Sequence, residues 1–273
     1  MLVTLLRRAR GGRAPHKVPA DGFEPLLRDP AQVDSLSASD LASVNALLPW
    51  ACFTADRGGR RVGAPSSVTK RPTAQEIPDQ RILRLEAAVG LHDKHVVELG
   101  CFEGVHTVAL CDLVERVTAV DARVENVVKT MVRTWLYGHR PEVVLQDVED
   151  PAVLDVYDCD VLHHNGVLYH LLDPVAHLRR ALSRTRTALL LDTHISRESE
   201  TTAHYDVDGH TFRIKDFKED PHTSPFAGLY PNARWLLLDD LRAEIERAGF
   251  GNIMIEEVRE ERHGARVLII AKR

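Results

Sequence analysis

Three acidic residues stand at the ends of successive apolar segments that have the composition of buried strands. Glu98 lies at the end of VVEL, just before Gly100 and Gly104, while Asp121 ends RVTAVD and Asp147 ends EVVLQD. Parallel strands present their carboxyl ends at one edge of a sheet, where open α/β sheets bind their ligands. We therefore expect these side chains to share one binding site.

The loop that follows Glu98 indicates what kind of ligand this site holds. A dinucleotide-binding loop has the spacing G-x-G-x-x-G, but Phe102 and Val105 stand at its second and third glycine positions. A P-loop ends in G-K-S/T, which this loop does not. An acid at position 98 favours a ligand with a cationic group over a pyrophosphate, because opposite charges attract.

Histidines cluster after the fourth apolar segment, in DVLHHNGVLYH. His163 and His164 are adjacent on a predicted strand, so their side chains point to opposite faces and one of them can face the site. The candidates for a catalytic base are His164, His170 and His194. The 14 histidines are scattered and form no H-x-x-x-H pattern or carboxylate-spaced triad. We therefore predict no metal site.

These residues must be positioned by strands that alternate with amphipathic helices. Predicted strands cover 95–100, 116–121, 142–147, 160–165, 187–195, 252–260 and 266–273. Predicted helices cover 37–48, 79–90, 104–115, 124–138, 174–184 and 236–249, with a short helix or turn at 150–156. The last two strands are joined by a turn at His263–Gly264 and must pair antiparallel. The predicted fold class is α/β, a Rossmann-like, seven-stranded, mostly parallel sheet with an antiparallel C-terminal hairpin and helices on both faces.

On these features residues 78–273 resemble the class I S-adenosylmethionine-dependent methyltransferases. Their first motif is an apolar strand, an acid and a glycine loop, which VVELGCFEG matches. The resemblance implies S-adenosyl-L-methionine as cofactor, with Asp121 on the ribose hydroxyls and Asp147 on the adenine amino group. Taken singly, each acid could instead be a helix cap or a surface ion-pair residue. The expected cofactor-binding residues are Glu98, Gly100, Cys101, Phe102, Gly104, Asp121, Ala122, Asp147, Val148, His163 and Asn165.

The segment GVLYH at 166–170 is similar to part of the tRNA wobble-uridine carboxymethyltransferases, whose donor carries an additional carboxylate. Burying that anion would require cationic partners. The stretch after Tyr169 has no Arg or Lys before Arg179, and the basic residues of 57–71 could help only by folding over the cleft. Those residues are Arg57, Arg60, Arg61, Lys70 and Arg71. We therefore expect ordinary S-adenosylmethionine as the donor, with Tyr169 shaping the pocket or orienting the acceptor.

A long connection, residues 196–234, separates the fifth predicted strand from the helix at 236–249 and reads as polar, aromatic and irregular. Connections of this length usually cover a site or are disordered, and the aromatic content argues against disorder. We expect a cap that binds the acceptor, assisted by residues 37–77. A structural insertion or a homodimer contact is the alternative. The substrate-binding candidates are Tyr169, His204, Tyr205, Tyr230 and Trp235.

Composition limits the classes of partner and location. The net charge is −5, and residues 1–20 carry five basic and no acidic side chains, which leaves −10 for residues 21–273. This acidity disfavours nucleic acid. The four cysteines are far apart, no apolar run approaches the ~20 residues of a membrane span, and the N-terminus lacks the order of a secretory signal. We expect a cytoplasmic protein with a basic, poorly ordered N-terminus (1–35), a helical extension (36–77) and a methyltransferase domain (78–273).

The predicted function is in-line methyl transfer to a small-molecule acceptor. An RNA (tRNA) methyl- or carboxymethyltransferase is the first alternative, suggested by GVLYH. The acidic charge and the lack of a recognisable RNA-binding motif count against it. A non-catalytic protein that binds the cofactor as a signal is the second alternative.

Overall fold

The computed structural model describes residues 32–63, 72–152, 155–221 and 224–273. Most of the segment predicted to be poorly ordered (1–35), as well as Lys70 and Arg71, lies outside these residues. Of that segment, only 32–35 are described, and they form a short helix. In the described part of the chain, no helix is long and apolar enough to cross a membrane.

Twelve strands and seven α-helices form the described structure. The strands are β1 (Thr54–Ala55), β2 (Arg61–Val62), β3 (His95–Leu99), β4 (Arg116–Asp121), β5 (Glu142–Leu145), β6 (Cys159–Asn165), β7 (Thr185–His194), β8 (Ala203–Val207), β9 (His210–Lys218), β10 (Asn232–Leu236), β11 (Asn252–Glu261) and β12 (Gly264–Lys272). The helices are α1 (Gln32–Ser35), α2 (Ala38–Leu47), α3 (Gln80–Val89), α4 (Val105–Leu113), α5 (Val124–Leu136), α6 (Pro174–Arg184) and α7 (Leu238–Arg247).

The main sheet has seven strands in the order β11-β12-β7-β6-β3-β4-β5. β3 to β7 are parallel, whereas β12 runs antiparallel to β7 and β11 antiparallel to β12. This confirms the predicted fold class. Alternate residues of each strand reach opposite faces, so Val96 and Val97 enter two different apolar clusters. Helices cover both clusters, and the carboxyl ends of the parallel strands remain open to ligands.

The predicted irregular connection is wrong in its central part, because residues 203–236 contain a three-stranded antiparallel sheet in the order β10-β9-β8. Asp208 and Gly209 connect β8 to β9, with φ of +48° and +79°. Two positive φ values suit the tight turn that joins hairpin strands, and Asp-Gly is a favoured pair there. In β9, Phe212 and Ile214 are buried, whereas Thr211 and Arg213 are exposed. This alternation is short and interrupted by charge, which is why the sequence pattern concealed the sheet.

The N-terminal extension packs against α5 and the loop after β3. The predicted helix at 37–48 is confirmed as α2, and Ser37 caps it by accepting a hydrogen bond from the backbone N–H of Asp40 at 3.1 Å. The backbone N–H groups of Ala51 and Cys52 donate to the buried carboxylate of Glu103, at 2.7 and 3.0 Å. The extension is thereby attached to the loop that carries the first sequence motif.

Candidate active site

A cavity of about 620 Å³ opens at the carboxyl ends of β3, β4, β5 and β6. Its volume lies within the range of small-molecule sites, about 300–1,000 Å³. The loops after these four strands form the floor and walls. Residues 225–230, part of the connection between β9 and β10, form the opposite wall. We refer to residues 224–230 as the cap loop.

Two glycines shape the loop after β3 for different reasons. Gly100 lines the cavity at φ +72°, and a Cβ there would lie 2.3 Å from the Cγ2 of Val167. Gly104 has φ +76°, and its Cβ would meet the backbone of Thr130 in α5 at 3.0 Å. We expected Gly104 to border the ligand, but it is not among the residues that line the cavity. It allows α5 to pack closely against the loop.

Glu98 lies at the bottom of the cavity and is 2% exposed. The hydroxyl of Thr107 donates a hydrogen bond of 2.6 Å to its carboxylate. Burial raises the pKa of Glu98 to about 7, although the hydrogen bond from Thr107 opposes this. A cationic ligand group would offset the cost of ionising the buried carboxyl. Glu98 therefore suits an ammonium.

Three hydrogen bonds hold the carboxylate of Asp121, which also lines the cavity. Its carboxylate accepts hydrogen bonds from the backbone N–H of Phe102 at 3.0 Å, the backbone N–H of Arg123 at 2.9 Å and the side chain of Asn126 at 3.1 Å. Burial raises its pKa even so. The loop residues Cys101 and Phe102 and the following Ala122 also line the cavity. These bonds fix the orientation of the carboxylate against the glycine loop.

Asp147 and Val148 follow β5 and line the same cavity. One Asp147 oxygen accepts the backbone N–H of Glu149 at 2.9 Å, and the other accepts the Tyr230 hydroxyl at 2.7 Å. The hydrogen bond to Asp147 raises the pKa of Tyr230 to about 12. Tyr230 therefore remains a donor, and it connects the cap loop to an acid that we expected to contact adenine.

At the end of β6, Asn165 lines the cavity, whereas His163 is fully buried beside it. His163, Glu98 and His106 each offer one ligand atom, and these three atoms lie within 4.8 Å of one another. Both ring nitrogens of His163 are buried without a hydrogen-bond partner. Two imidazoles and a carboxylate are ordinary metal ligands, so this cluster is a group of metal-type ligands that the sequence pattern did not predict.

Of the three predicted base candidates, only His170 lines the cavity. His164 is fully buried on the other side of β6, where its Nε2 lies 2.8 Å from the Nε2 of His177. His194 is 6% exposed and stacks on Trp235 with ring centroids 4.6 Å apart. Burial lowers the pKa of both His164 and His194. The structure therefore does not bring these two histidines to the cavity.

The predicted substrate-binding residues also divide into two groups. Tyr169 and Tyr230 line the cavity. His204 is exposed on β8, Tyr205 is buried and donates its hydroxyl hydrogen bond to Asp173, and Trp235 is 1% exposed. The indole N–H of Trp235 donates to the Tyr169 carbonyl at 2.9 Å. Trp235 thus supports the segment that carries Tyr169, and His204, Tyr205 and Trp235 do not line the cavity.

Several residues that line the cavity, or that hold its lining residues in place, were absent from the sequence prediction. Glu219, which follows β9, is 2.6 Å from the Nδ1 of His170. Arg123 donates to the carbonyls of Pro221, Ala227 and Gly228 at 3.0–3.2 Å, and Phe226 packs on Phe102 with ring centroids 5.2 Å apart. The arginines Arg81, Arg259 and Arg266 also line the cavity and were not predicted. The carboxylate that all three share, Asp192, is distant from each of them in sequence, so no local pattern predicts them.

The three arginines matter for the choice of donor, because a donor with an additional carboxylate would require cationic partners. All three line the cavity, and Arg266 lies over the ring of Tyr169, although the sequence pattern suggested that no cation was close. Their guanidinium groups are bonded to carboxylates, with the buried Asp192 accepting from all three. The predicted substitutes at 57–61 do not line the cavity.

No protein-family model and no curated protein matches the chain by sequence. Solved structures do match. The N-terminal domain of EvdMO1 with SAH bound is 25% identical, with a TM-score of 0.71, over 86% of this chain and 95% of that domain. The same domain in the presence of SAH and D-fucose gives 24% identity and a TM-score of 0.70. The chain spans 47% of the longer EvdMO1 structure, at 21% identity and a TM-score of 0.59.

A more distant match is the magnesium protoporphyrin IX methyltransferase of Synechocystis with bound SAH. It is 16% identical, with a TM-score of 0.50, over 72% of this chain and 81% of that one. The strand order, the glycine loop and these matches agree with the resemblance seen in the sequence. The chain has the fold of the class I S-adenosylmethionine-dependent methyltransferases.

Proposed function

We propose that the protein is an S-adenosylmethionine-dependent methyltransferase that acts on a small-molecule acceptor. The observation that carries this proposal is the convergence of Glu98, Asp121 and Asp147 on one cavity, at the ends of three strands. The SAH in the similar EvdMO1 domain supports the choice of cofactor. The cavity volume of about 620 Å³ supports a small acceptor.

The residues of the cavity fit the cofactor group by group. Gly100 provides a surface that a Cβ would fill, and Glu98 is a buried acid whose ionisation a methionine ammonium would favour. The Asp121 carboxylate suits the ribose diol because its two oxygens can each accept a hydroxyl. Asp147 would accept the adenine amino group, with Tyr230 as a neighbouring donor.

When bound, S-adenosylmethionine would supply a sulfonium methyl group, whose carbon bonds to the acceptor atom in line as the carbon–sulfur bond breaks and S-adenosylhomocysteine leaves. The tasks left to the chain are alignment, exclusion of water and removal of a proton. The cap loop, held by Arg123 and Phe226, covers the cavity. Its closure would shield the reacting groups from water.

His170 is the base that the geometry supports. Its Nδ1 is bonded to the Glu219 carboxylate at 2.6 Å, which selects the tautomer that keeps Nε2 as a proton acceptor. The Glu219 side chain is 6% exposed and also accepts the backbone N–H of Gly228 at 3.3 Å. Its negative charge would stabilise the imidazolium that forms when His170 takes a proton from the acceptor.

Methyl-labelled cofactor incubated with a small-molecule extract and with RNA tests this proposal. We expect label in the small-molecule fraction. His170→Gln should lower that rate by about 10²–10⁴ while S-adenosylhomocysteine still binds. His204→Gln, a change on exposed β8, is the matched control and should leave the rate unchanged. Label in RNA would instead support an RNA methyltransferase, and tight binding without any transfer a non-catalytic protein.

A further inference from the structure

The strand order divides the cavity into two halves on either side of β3. Asp121 and Asp147 follow β4 and β5 on one side, whereas Asn165 and Asp192 lie on β6 and β7 on the other. Beyond β7, β12 and β11 add further polar side chains to this second half. The proposed nucleoside contacts occupy the first half, so the second half is the part left for an acceptor.

Six charged residues of the second half form one arginine–carboxylate network. Asp192 is fully buried and accepts hydrogen bonds from Arg81 at 3.1 Å, from Arg259 at 3.0 Å and from Arg266. Glu261 accepts from Arg259 at 2.8 Å and lies 3.5 Å from Arg266. The sixth member is Asp79, which is bonded to Arg81 at 2.8 Å.

We propose that this half of the cavity binds a neutral polyhydroxylated acceptor of the hexose class. The inference rests on the proposed methyl transfer and deepens it by naming the acceptor. Charge balance is the first reason. Three guanidinium groups are matched by three carboxylates, those of Asp79, Asp192 and Glu261, and the neighbouring Glu257 pairs with Arg84. A phosphate or carboxylate ligand would meet no net positive charge there.

Hydrogen-bonding capacity is the second reason. A hydroxyl both donates and accepts, so it can bridge a carboxylate and a guanidinium that already lie side by side. The members at the cavity surface remain reachable, since the side chains of Arg81 and Arg259 are each 25% exposed and that of Glu261 is 35% exposed. Vicinal hydroxyls match such neighbouring donor and acceptor groups.

The third reason is that other side chains already pack against the ring of Tyr169 in this half. The Arg266 guanidinium lies over the ring of Tyr169, 5.1 Å from its centroid, and His194 packs against the same ring at 4.7 Å. A planar aromatic acceptor requires an open apolar face to stack on. A polyol does not. A hydroxyl acceptor must also lose its proton on methylation, which gives the His170–Glu219 pair a task.

A binding experiment on the full chain loaded with S-adenosylhomocysteine tests this proposal. The probes are neutral hexoses (D-glucose, D-galactose and D-mannose), the charged analogues D-glucosamine and D-glucuronate, and catechol as a planar aromatic. Calorimetry measures each affinity. We expect at least one neutral hexose to bind more tightly than either charged analogue and than catechol. Tighter binding of a charged analogue or of catechol would overturn the proposal, as would the absence of hexose binding to the loaded protein.

Two adjacent residues of β11 provide a matched pair of variants. Glu261→Gln changes the network, whereas Glu260→Gln changes a side chain that is 61% exposed and paired with Arg197. We expect Glu261→Gln to weaken hexose binding about tenfold and Glu260→Gln to leave it unchanged. Both variants should bind S-adenosylhomocysteine normally. Equal hexose affinity in the two variants would contradict the assigned site, and failure of the wild type to bind S-adenosylhomocysteine would instead refute the proposed function.

Discussion

At the scale of single residues, Glu98 combines a charged role with a buried position. Folding raises its pKa from the ordinary 4.5 to about 7, because burial disfavours the carboxylate. Between these two pH values the folded protein binds more protons than the unfolded chain does. Its contribution to stability is therefore lost as the pH rises through this interval. A cationic ligand would favour the ionised carboxyl of Glu98. Removing the charge of Glu98 should therefore weaken ligand binding and raise the stability of the protein without ligand.

Glu98→Gln tests this balance. The amide oxygen can still accept the Thr107 hydrogen bond, but no ionisation is required. Without ligand, the variant should be about 1–3 kcal/mol more stable than the wild type at pH 8 and no more stable at pH 5, measured by urea unfolding. Its affinity for S-adenosylhomocysteine at pH 8 should fall about tenfold, because the ammonium loses a counter-charge. Equal stability differences at the two pH values would contradict the assigned pKa.

Glu219→Gln separates a positioning role from a structural one. The amide can still contact His170 and Gly228, but it cannot stabilise an imidazolium by charge. We expect the methyl-transfer rate to fall about tenfold and the lower limb of its pH profile to move, with S-adenosylhomocysteine affinity and thermal stability unchanged. A variant with the same pH profile as the wild type would show that Glu219 only holds the cap loop.

The sequence identified the acids at the strand ends, since Glu98, Asp121 and Asp147 all line the cavity. Each of these acids could be located because it stands at the end of an apolar segment that is recognisable as a strand. Residues that depend on tertiary contacts were missed. Glu219 lies 49 positions from His170, and Arg266 lies 74 positions from Asp192. No periodicity encodes such pairs, and His164 is buried within β6 whereas His170 lies in the loop after it, a difference that depends on tertiary packing.

At the scale of elements, the cap loop is held to the cofactor side of the cavity by one arginine. Arg123 lies two residues after Asp121 and donates to two cap carbonyls, those of Ala227 and Gly228, and to the carbonyl of Pro221. Tyr230 adds a hydrogen bond to Asp147. The cap loop is therefore bonded to Asp147 itself and to a residue beside Asp121, the two acids that are proposed to bind the nucleoside part of the cofactor.

Arg123→Ala should loosen the cap loop. We expect proteolytic cleavage within the cap loop to become faster, because the carbonyl contacts are lost, and cleavage elsewhere to be unaffected. S-adenosylhomocysteine should slow cleavage of the wild type. Arg242→Ala, a change of an exposed arginine on α7, is the control and should behave as the wild type. Unchanged cleavage in Arg123→Ala would contradict the role given to this contact.

Helices and strands with a long amphipathic or apolar pattern were predicted within about two residues. The helix at 174–184 has the same bounds as α6. The hairpin of β8 and β9 was missed although Asp208-Gly209 is a strong turn signal. Charged residues interrupt the flanking alternation. The buried side chains of this hairpin become apparent only when it packs on α6 and α7.

At the scale of the whole molecule, a buried ionic network connects the N-terminal extension to the glycine loop. Glu103, Lys129 and Arg133 are all at most 1% exposed. The Nζ of Lys129 lies 3.0 Å from Glu103, and Arg133 donates to the Glu103 carbonyl at 2.6 Å. The sequence predicted an extension at 36–77 but gave no sign of this attachment, because its partners lie on different elements.

Glu103→Gln should destabilise the protein strongly. The buried cations lose their counter-charge, which costs about 3–5 kcal/mol for a buried pair. Thermal unfolding should show a clear drop in melting temperature. Glu142→Gln, which removes an exposed partner of Arg116, is the control and should cost less than about 1 kcal/mol. Similar losses in the two variants would argue against a structural role for the buried network.

The central claim is that the acids at the strand ends bind S-adenosylmethionine and its product. Calorimetric titration of S-adenosylhomocysteine into the wild type, Asp121→Ala and Asp160→Ala tests it most directly. Asp160 is the control, because it lies at the amino end of β6, whereas the cavity lies at the carboxyl ends of the strands. We predict that Asp121→Ala weakens binding by about 2–4 kcal/mol and that Asp160→Ala binds as the wild type does. Wild-type affinity in Asp121→Ala, or no binding by the wild type, would contradict the account.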